Sequence, residues 1–296
     1  MLRPEFFPLL YKTGRLCTAT AKQAYLSARQ RNLIALCRVG EILDAAAKRG
    51  VTLLPLKGVL FADVLYDDVG LRPMSDVDLA VRPSELAAAS EVMTALGFVR
   101  AQPPGKRFSP RHAHDLSFVD RTGLVIELHH RLVHELGVDA DLEAMFARAV
   151  TTDFLGARRP VPDLSDHLFF VLLHAATHGY YHSLIWLCDA ALLLAAGVDV
   201  TRAAEEARRR RAQVAFSAGL AIGHRLLPGR LPPPSTALAP ARRAFLAVVF
   251  GPCPERREIA SLQWRVVRLA LTDRPLDAAR ELWRKSSLRL LELAEK

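Results

Sequence analysis

The sequence predicts an α+β protein, with an α/β unit over residues 51–160 set between a helical segment at 1–50 and helices at 161–296. Three observations predict it. Residues 19–49 are rich in Ala, Leu, Arg and Lys with apolar positions at helical spacing. From Val51 the chain breaks into short apolar or alternating runs that suit strands. From Asp163 onward the pattern is helical again.

The elements follow in order. Leu26, Leu33, Leu36, Val39, Ile42 and Leu43 line one face of a helix over Ala19–Arg49, which Gly50 stops. Val51–Leu56 is a short apolar run suited to a buried strand, and Lys57-Gly58 opens a helix through Tyr66. The turn Asp67-Asp68-Val69-Gly70 leads into Leu71–Val81, whose second half alternates as a strand does. Pro83-Ser84-Glu85 starts a helix that ends at Gly97, with proline in the first turn. A Pro-rich basic loop over 102–112 carries Lys106, Arg107, Arg111 and His112. His114–Val119 and Leu124–Leu128 form a hairpin about Asp120–Gly123. Helices then fit 163–177, 184–196, 201–211, 213–227, 240–250, 255–271 and 276–294.

Composition bounds the function classes. A chain of 296 residues with 51% hydrophobic and 24% charged residues is globular, which excludes disordered and collagen-like classes. Cys17, Cys37, Cys188 and Cys253 are dispersed and form no CxxC pair, so neither a disulfide framework nor a zinc ribbon is expected. No apolar run reaches the ~18–20 residues of a membrane span, and the expected location is cytoplasmic. The net charge of +9 is concentrated late: residues 241–296 hold ten Arg and two Lys against seven acids. That excess mildly favours a polyanionic partner. The run Arg208–Arg211 reads either as a helix C-terminus complemented by positive charge or as an anion-binding surface.

The chemistry is carried by carboxylates. In a strand alternate side chains share a face, so Asp76-Val77-Asp78-Leu79 places two carboxylates on one side and two apolar groups on the other. Adjacent carboxylates repel, and a hard divalent ion such as Mg²⁺ is a natural counterion. Glu127 lies within the apolar run Val125–Leu128, where a carboxylate needs a partner or a metal. Gly58 at a helix start lets a phosphate approach the backbone and the helix N-terminus. Three carboxylates on neighbouring strands beside such a glycine suit a two-metal phosphoryl-transfer site.

This order resembles the nucleotidyltransferase superfamily typified by DNA polymerase beta. The wording is closer to the family of uncharacterised nucleotidyltransferases: Leu56-Lys57-Gly58, then Arg72-Pro-Met-Ser75-Asp76-Val-Asp78-Leu79, then Ile126-Glu127-Leu128-His129. A helical His174…His178…Trp186…Asp189 segment adds to it, and the resemblance spans residues 50–195. It implies a polymerase-beta-like α/β core and transfer of an NMP group from an NTP such as ATP. Asp76, Asp78 and Glu127 would hold two Mg²⁺ ions, and Glu127 would help deprotonate the acceptor. Lys57, Gly58, Arg72 and Ser75 would meet the triphosphate. His129, His174, His178 and Asp189 would face nucleotide or acceptor. The acceptor would be a hydroxyl or phosphate on a small molecule, a peptide or a tRNA. One departure is Gly58-Val59, where most of the superfamily has Gly-Ser or Gly-Gly.

Two rival readings stay open. Gly58-Val59 fits a non-catalytic binding or regulatory module that kept the fold. His174 and His178, one helical turn apart, with Asp189 and a row extended by His182, fit a metal-dependent phosphohydrolase.

Overall fold

The computed structural model describes residues 3–101, 114–132, 138, 141–180, 183–234, 240 and 270–273. They divide between two compact units. The first holds the described residues up to 132, with 141–167 and 195–198; the second holds 138, 168–194 and those from 199 onward.

The first unit begins with α1 (Phe7–Lys12) and the long α2 (Ala19–Ala47). Thr18 caps α2 by accepting a hydrogen bond from the Ala21 amide at 3.2 Å. Then come β1 (Leu53–Leu56), α3 (Lys57–Val64), β2 (Asp76–Val81), α4 (Leu86–Ala95), β3 (Val99–Arg100), β4 (Asp115–Val119) and β5 (Val125–His129). The five strands form one sheet in the order β1-β2-β5-β4-β3. β2 and β5 run parallel at its centre, and the other pairs are antiparallel.

Alternation explains the core. Val77, Leu79 and Val81 of β2 and Ile126 and Leu128 of β5 are all buried. They occupy one face, while Asp76, Asp78, Glu127 and His129 occupy the other. The sheet is therefore sealed on one side and charged on the other.

α2 also fixes the loop that leads into β2. Its Asn32 Nδ2 donates to the carbonyls of Val69 and Arg72. Tyr25 Oη donates to Asp68 at 2.7 Å, and Lys12 pairs with the same carboxylate at 2.9 Å. Gly70 permits this approach, because a Cβ there would stand 2.7 Å from the Tyr25 ring and 2.9 Å from Arg29 Cβ.

The first unit then adds α5 (Glu143–Ala147), the hairpin β6 (Val150–Phe154) and β7 (Ala157–Val161), and the start of α6 (Leu164–Thr177). The hairpin was not expected from the sequence. Its tight turn places Leu155 at φ 52° and Gly156 at φ 71°, both in the left-handed region. Arg159 anchors it to α2 through Asp44 at 2.8 Å.

In the second unit α6 continues, followed by α7 (Ile185–Ala195), α8 (Val200–Arg209) and α9 (Gln213–Leu226). Trp186 Nε1 donates to the Tyr180 carbonyl at 2.8 Å, and Tyr180 Oη donates to the Ala215 carbonyl at 2.5 Å. Asp273 caps α9 by accepting from the Gln213 and Val214 amides at 3.0 and 2.8 Å. The run Arg208–Arg211 closes α8, where Arg209 pairs with Glu205 at 3.4 Å and buried Arg210 pairs with Glu206. No helix among the described residues is long and apolar enough to cross a membrane. Cys17, Cys37 and Cys188 form no disulfide with one another. The basic loop 102–112, His182 and most of residues 235–296, with the expectations that fall on them, lie outside the described residues.

Candidate active site

The charged face of β2 and β5 gathers the carboxylates by strand register. Asp78 stands directly opposite Glu127 in the parallel pair, and Asp76 lies two residues earlier on the same face. Asp78 is buried at 5% exposure, whereas Glu127 is only half-buried. The pair thus runs from the protein interior towards solvent.

Positive groups surround Asp78. Lys57 Nζ stands 3.1 Å from its Oδ2, and His129 Nε2 stands 2.8 Å from its Oδ1. The same His129 nitrogen is 3.5 Å from Glu127 Oε2. Burial opposes a charge on His129, but hydrogen bonding to Asp78 and Glu127 outweighs it and pushes the imidazole up to about 9. Its Nδ1 is buried and has no hydrogen-bond partner among the described residues. Burial lowers His114, whose ring lies 5.4 Å from that of His129; the nearby His129 and Lys57 add to the effect.

Asp76 reports the crowding of negative charge. Burial and the Asp78 and Glu127 carboxylates raise it above the ordinary carboxylate value, against the pull of Lys57. Ser75 Oγ donates to Asp76 Oδ1 at 3.3 Å. A group that ionises reluctantly beside two others is poised to gain from an added cation.

Lys57 and Gly58 sit where β1 turns into α3. Lys57 has φ 41°, a left-handed conformation that is uncommon outside glycine and concentrates at functional sites. The strain turns the chain so that its buried ammonium meets Asp78. The Arg72 guanidinium lies over Gly58: a Cβ there would stand 2.6 Å from Arg72 Nη1 and 3.3 Å from Met74 Sδ. Glycine at this position therefore admits a cation onto the start of α3. The Asn32 hydrogen bond to the Arg72 carbonyl, 2.8 Å long, holds that arginine's backbone in place.

Of the residues expected from the sequence, the first unit brings Lys57, Gly58, Arg72, Ser75, Asp76, Asp78, Glu127 and His129 to one region of the sheet. His174, His178 and Asp189 belong to the second unit. There the rings of His174 and His178 lie 4.5 Å apart, and Asp189 is buried. Sequence reasoning missed Asn32 and His114. A polar residue on the apolar face of a helix was the available signal for Asn32.

Asp78, Glu127 and His129 present ligand atoms all within 4.8 Å of one another, and no other described group of His, Cys, Asp or Glu has such spacing. This donor set, with Asp76 alongside, fits a divalent cation.

No curated protein matches the chain. Among solved structures it is similar to the antibiotic-resistance factor ANT(2'')-Ia, at 12% identity over 64% of this chain and 95% of that one, with a TM-score of 0.46. It is also similar to an antigenic nucleotidyltransferase-like protein from Paracoccidioides brasiliensis, at 13% identity over 66% and 89%, with a TM-score of 0.40. The model of the family described as uncharacterised nucleotidyltransferase matches residues 17–228, well over half of the chain, and the protein belongs to that family.

Proposed function

We propose that the charged face of β2 and β5 catalyses Mg²⁺-dependent transfer of an NMP group from an NTP to an acceptor hydroxyl or phosphate. The observation that carries this reading is the register of β2 on β5, which sets Asp78 beside Glu127 with Asp76 on the same face. Asp76, Asp78 and Glu127 would hold the divalent ions, two in the full complex. Bound there, the ions supply charge neutralisation to the triphosphate and its α-phosphoryl group.

The chain's own groups do the rest. Lys57 and Arg72 bind phosphate oxygens at the start of α3, where the backbone amides of the helix N-terminus also favour an anion. Ser75 steadies Asp76. Glu127, the most exposed of the three acids' central pair, accepts the proton of the acceptor hydroxyl as its oxygen bonds to the α-phosphorus. The bond to the bridging oxygen breaks and pyrophosphate departs. In this reading the enzyme works in the cytoplasm.

The closeness of Asp78 and Glu127 favours this over a non-catalytic module that kept the fold. The ligand spacing of Asp78, Glu127 and His129, which does not involve His174, His178 or Asp189, favours it over a phosphohydrolase built on those residues. The acceptor is a small molecule, a peptide or a tRNA end. Incubation with α-labelled ATP, CTP, GTP and UTP, Mg²⁺ and cell extract should give a labelled product. No labelled product from any nucleotide would overturn the assignment. Acceptor binding that weakens steeply with salt would select tRNA, and salt-insensitive binding a small acceptor.

A further inference from the structure

We propose that His129 is itself a metal ligand, so that the site takes its tightest ion between Asp78, Glu127 and His129 and prefers Mn²⁺ or a later transition ion to Mg²⁺. This rests on the reading of the charged face as a metal-dependent site.

The geometry supports it at three points. First, Nε2 of His129 is 2.8 Å from Asp78 Oδ1 and 3.5 Å from Glu127 Oε2. Neighbouring ligands of a six-coordinate ion at ~2.1 Å stand about 3.0 Å apart, so these separations need little adjustment. Second, Lys57 holds the other oxygen of Asp78 at 3.1 Å. Asp78 therefore turns a single defined oxygen towards His129. Third, β5 places His129 two residues after Glu127, so both project from the same face of one strand. The imidazole is buried at 3% exposure, and an ion bound at Nε2 takes the place of the proton that bridges the two carboxylates, which is released to solvent.

The donor set decides the ion. Mg²⁺ prefers an all-oxygen shell and keeps several waters. An imidazole nitrogen binds first-row transition ions better than it binds Mg²⁺. A site of two carboxylates and one imidazole should therefore rank Mn²⁺ above Mg²⁺.

The test uses the full chain and Mn²⁺ alone, read by electron spin echo envelope modulation and by calorimetry. The expected result is a ¹⁴N coupling on bound Mn²⁺ and a dissociation constant at least about tenfold below that of Mg²⁺. His129→Gln should abolish the coupling. His114→Gln should leave it, which excludes the neighbouring ring. If His129→Gln does not fold, the His114→Gln spectrum decides: coupling retained supports the proposal, and coupling lost overturns it. Mn²⁺ bound without nitrogen coupling, or not bound at all, would overturn the proposal and make His129 a protonated clamp between the carboxylates. The labelled-nucleotide assay under Mg²⁺ separates the two levels. Label transfer without nitrogen coupling sinks this inference alone. Nitrogen coupling without label transfer for any nucleotide sinks the proposed reaction and leaves the metal site standing.

Discussion

The two faces of β2 and β5 share a backbone and differ in everything else. On one face Val77, Leu79, Val81, Ile126 and Leu128 are buried among apolar neighbours. On the other, three carboxylates and an imidazole crowd together, and Asp76 is held above its ordinary value by burial and by its neighbours. The apolar face gains stability from burial. The charged face gives some of it up, because ionising Asp76 there costs free energy in the folded state. A cation bound beside Asp76 would offset that cost.

The largest contrast should come from breaking the two faces separately. Asp76→Asn should cut nucleotidyl transfer by about 10²–10³-fold, the usual scale for losing one electrostatic group in a site. Its melting temperature without metal should hold or rise, because a reluctantly ionised carboxylate is gone. Leu128→Ala on the opposite face should do the reverse. It should lower stability by about 2–5 kcal/mol in denaturant unfolding, while the folded fraction keeps its nucleotide affinity.

A third effect sharpens the comparison from outside the sheet. His167 is fully buried, packs edge-on against Phe61 of α3 with ring centroids 5.1 Å apart, and is pushed down to about 4 by burial. The folded value lies below that of the unfolded chain, so low pH favours unfolding. The contribution of neutral His167 is complete above pH 6.5 and is lost as pH falls through 4. It amounts to about 3 kcal/mol at most. Unfolding in denaturant across pH 4–7 should show that decline in the wild type and a flatter profile in His167→Leu.

The smallest effect tests the edge of the charged face. Gly58→Ala would put a methyl group against the Arg72 guanidinium, whose end can swing aside. Steady-state kinetics should show KM for the nucleotide rising about tenfold, or ~1.4 kcal/mol, with kcat little changed. A fall in kcat with KM constant would place Arg72 away from the ground-state phosphates.

Much of the charged face was legible in the sequence because period-two alternation is local. Asp76-Val77-Asp78-Leu79 and Ile126-Glu127-Leu128-His129 carry their facing in the order of residues. The helix read over Ala19–Arg49, with Gly50 after it, was equally plain and runs over Ala19–Ala47. What joins Asp78 to Glu127 is the parallel pairing of strands some 50 residues apart, and no local pattern encodes it. Motif order alone pointed to their meeting. The left-handed Lys57 was hidden because sequence reasoning assigns that conformation to glycine. The β6–β7 hairpin was hidden for related reasons. Leucine at a left-handed turn position, the proline Pro160 within a strand, and the mostly exposed Thr151–Asp153 gave no strand signal. Arg72 over Gly58 depends on Asn32 of α2, a contact spanning 40 residues.

The most direct measurement is titration calorimetry of a non-hydrolysable NTP against the full chain, with Mg²⁺ and with EDTA, in wild type and Asp76→Asn. Binding in the wild type should require the divalent ion, and Asp76→Asn should weaken it at least about tenfold, or ~1.4 kcal/mol. Nucleotide binding that is unchanged by EDTA and by Asp76→Asn would contradict the assignment.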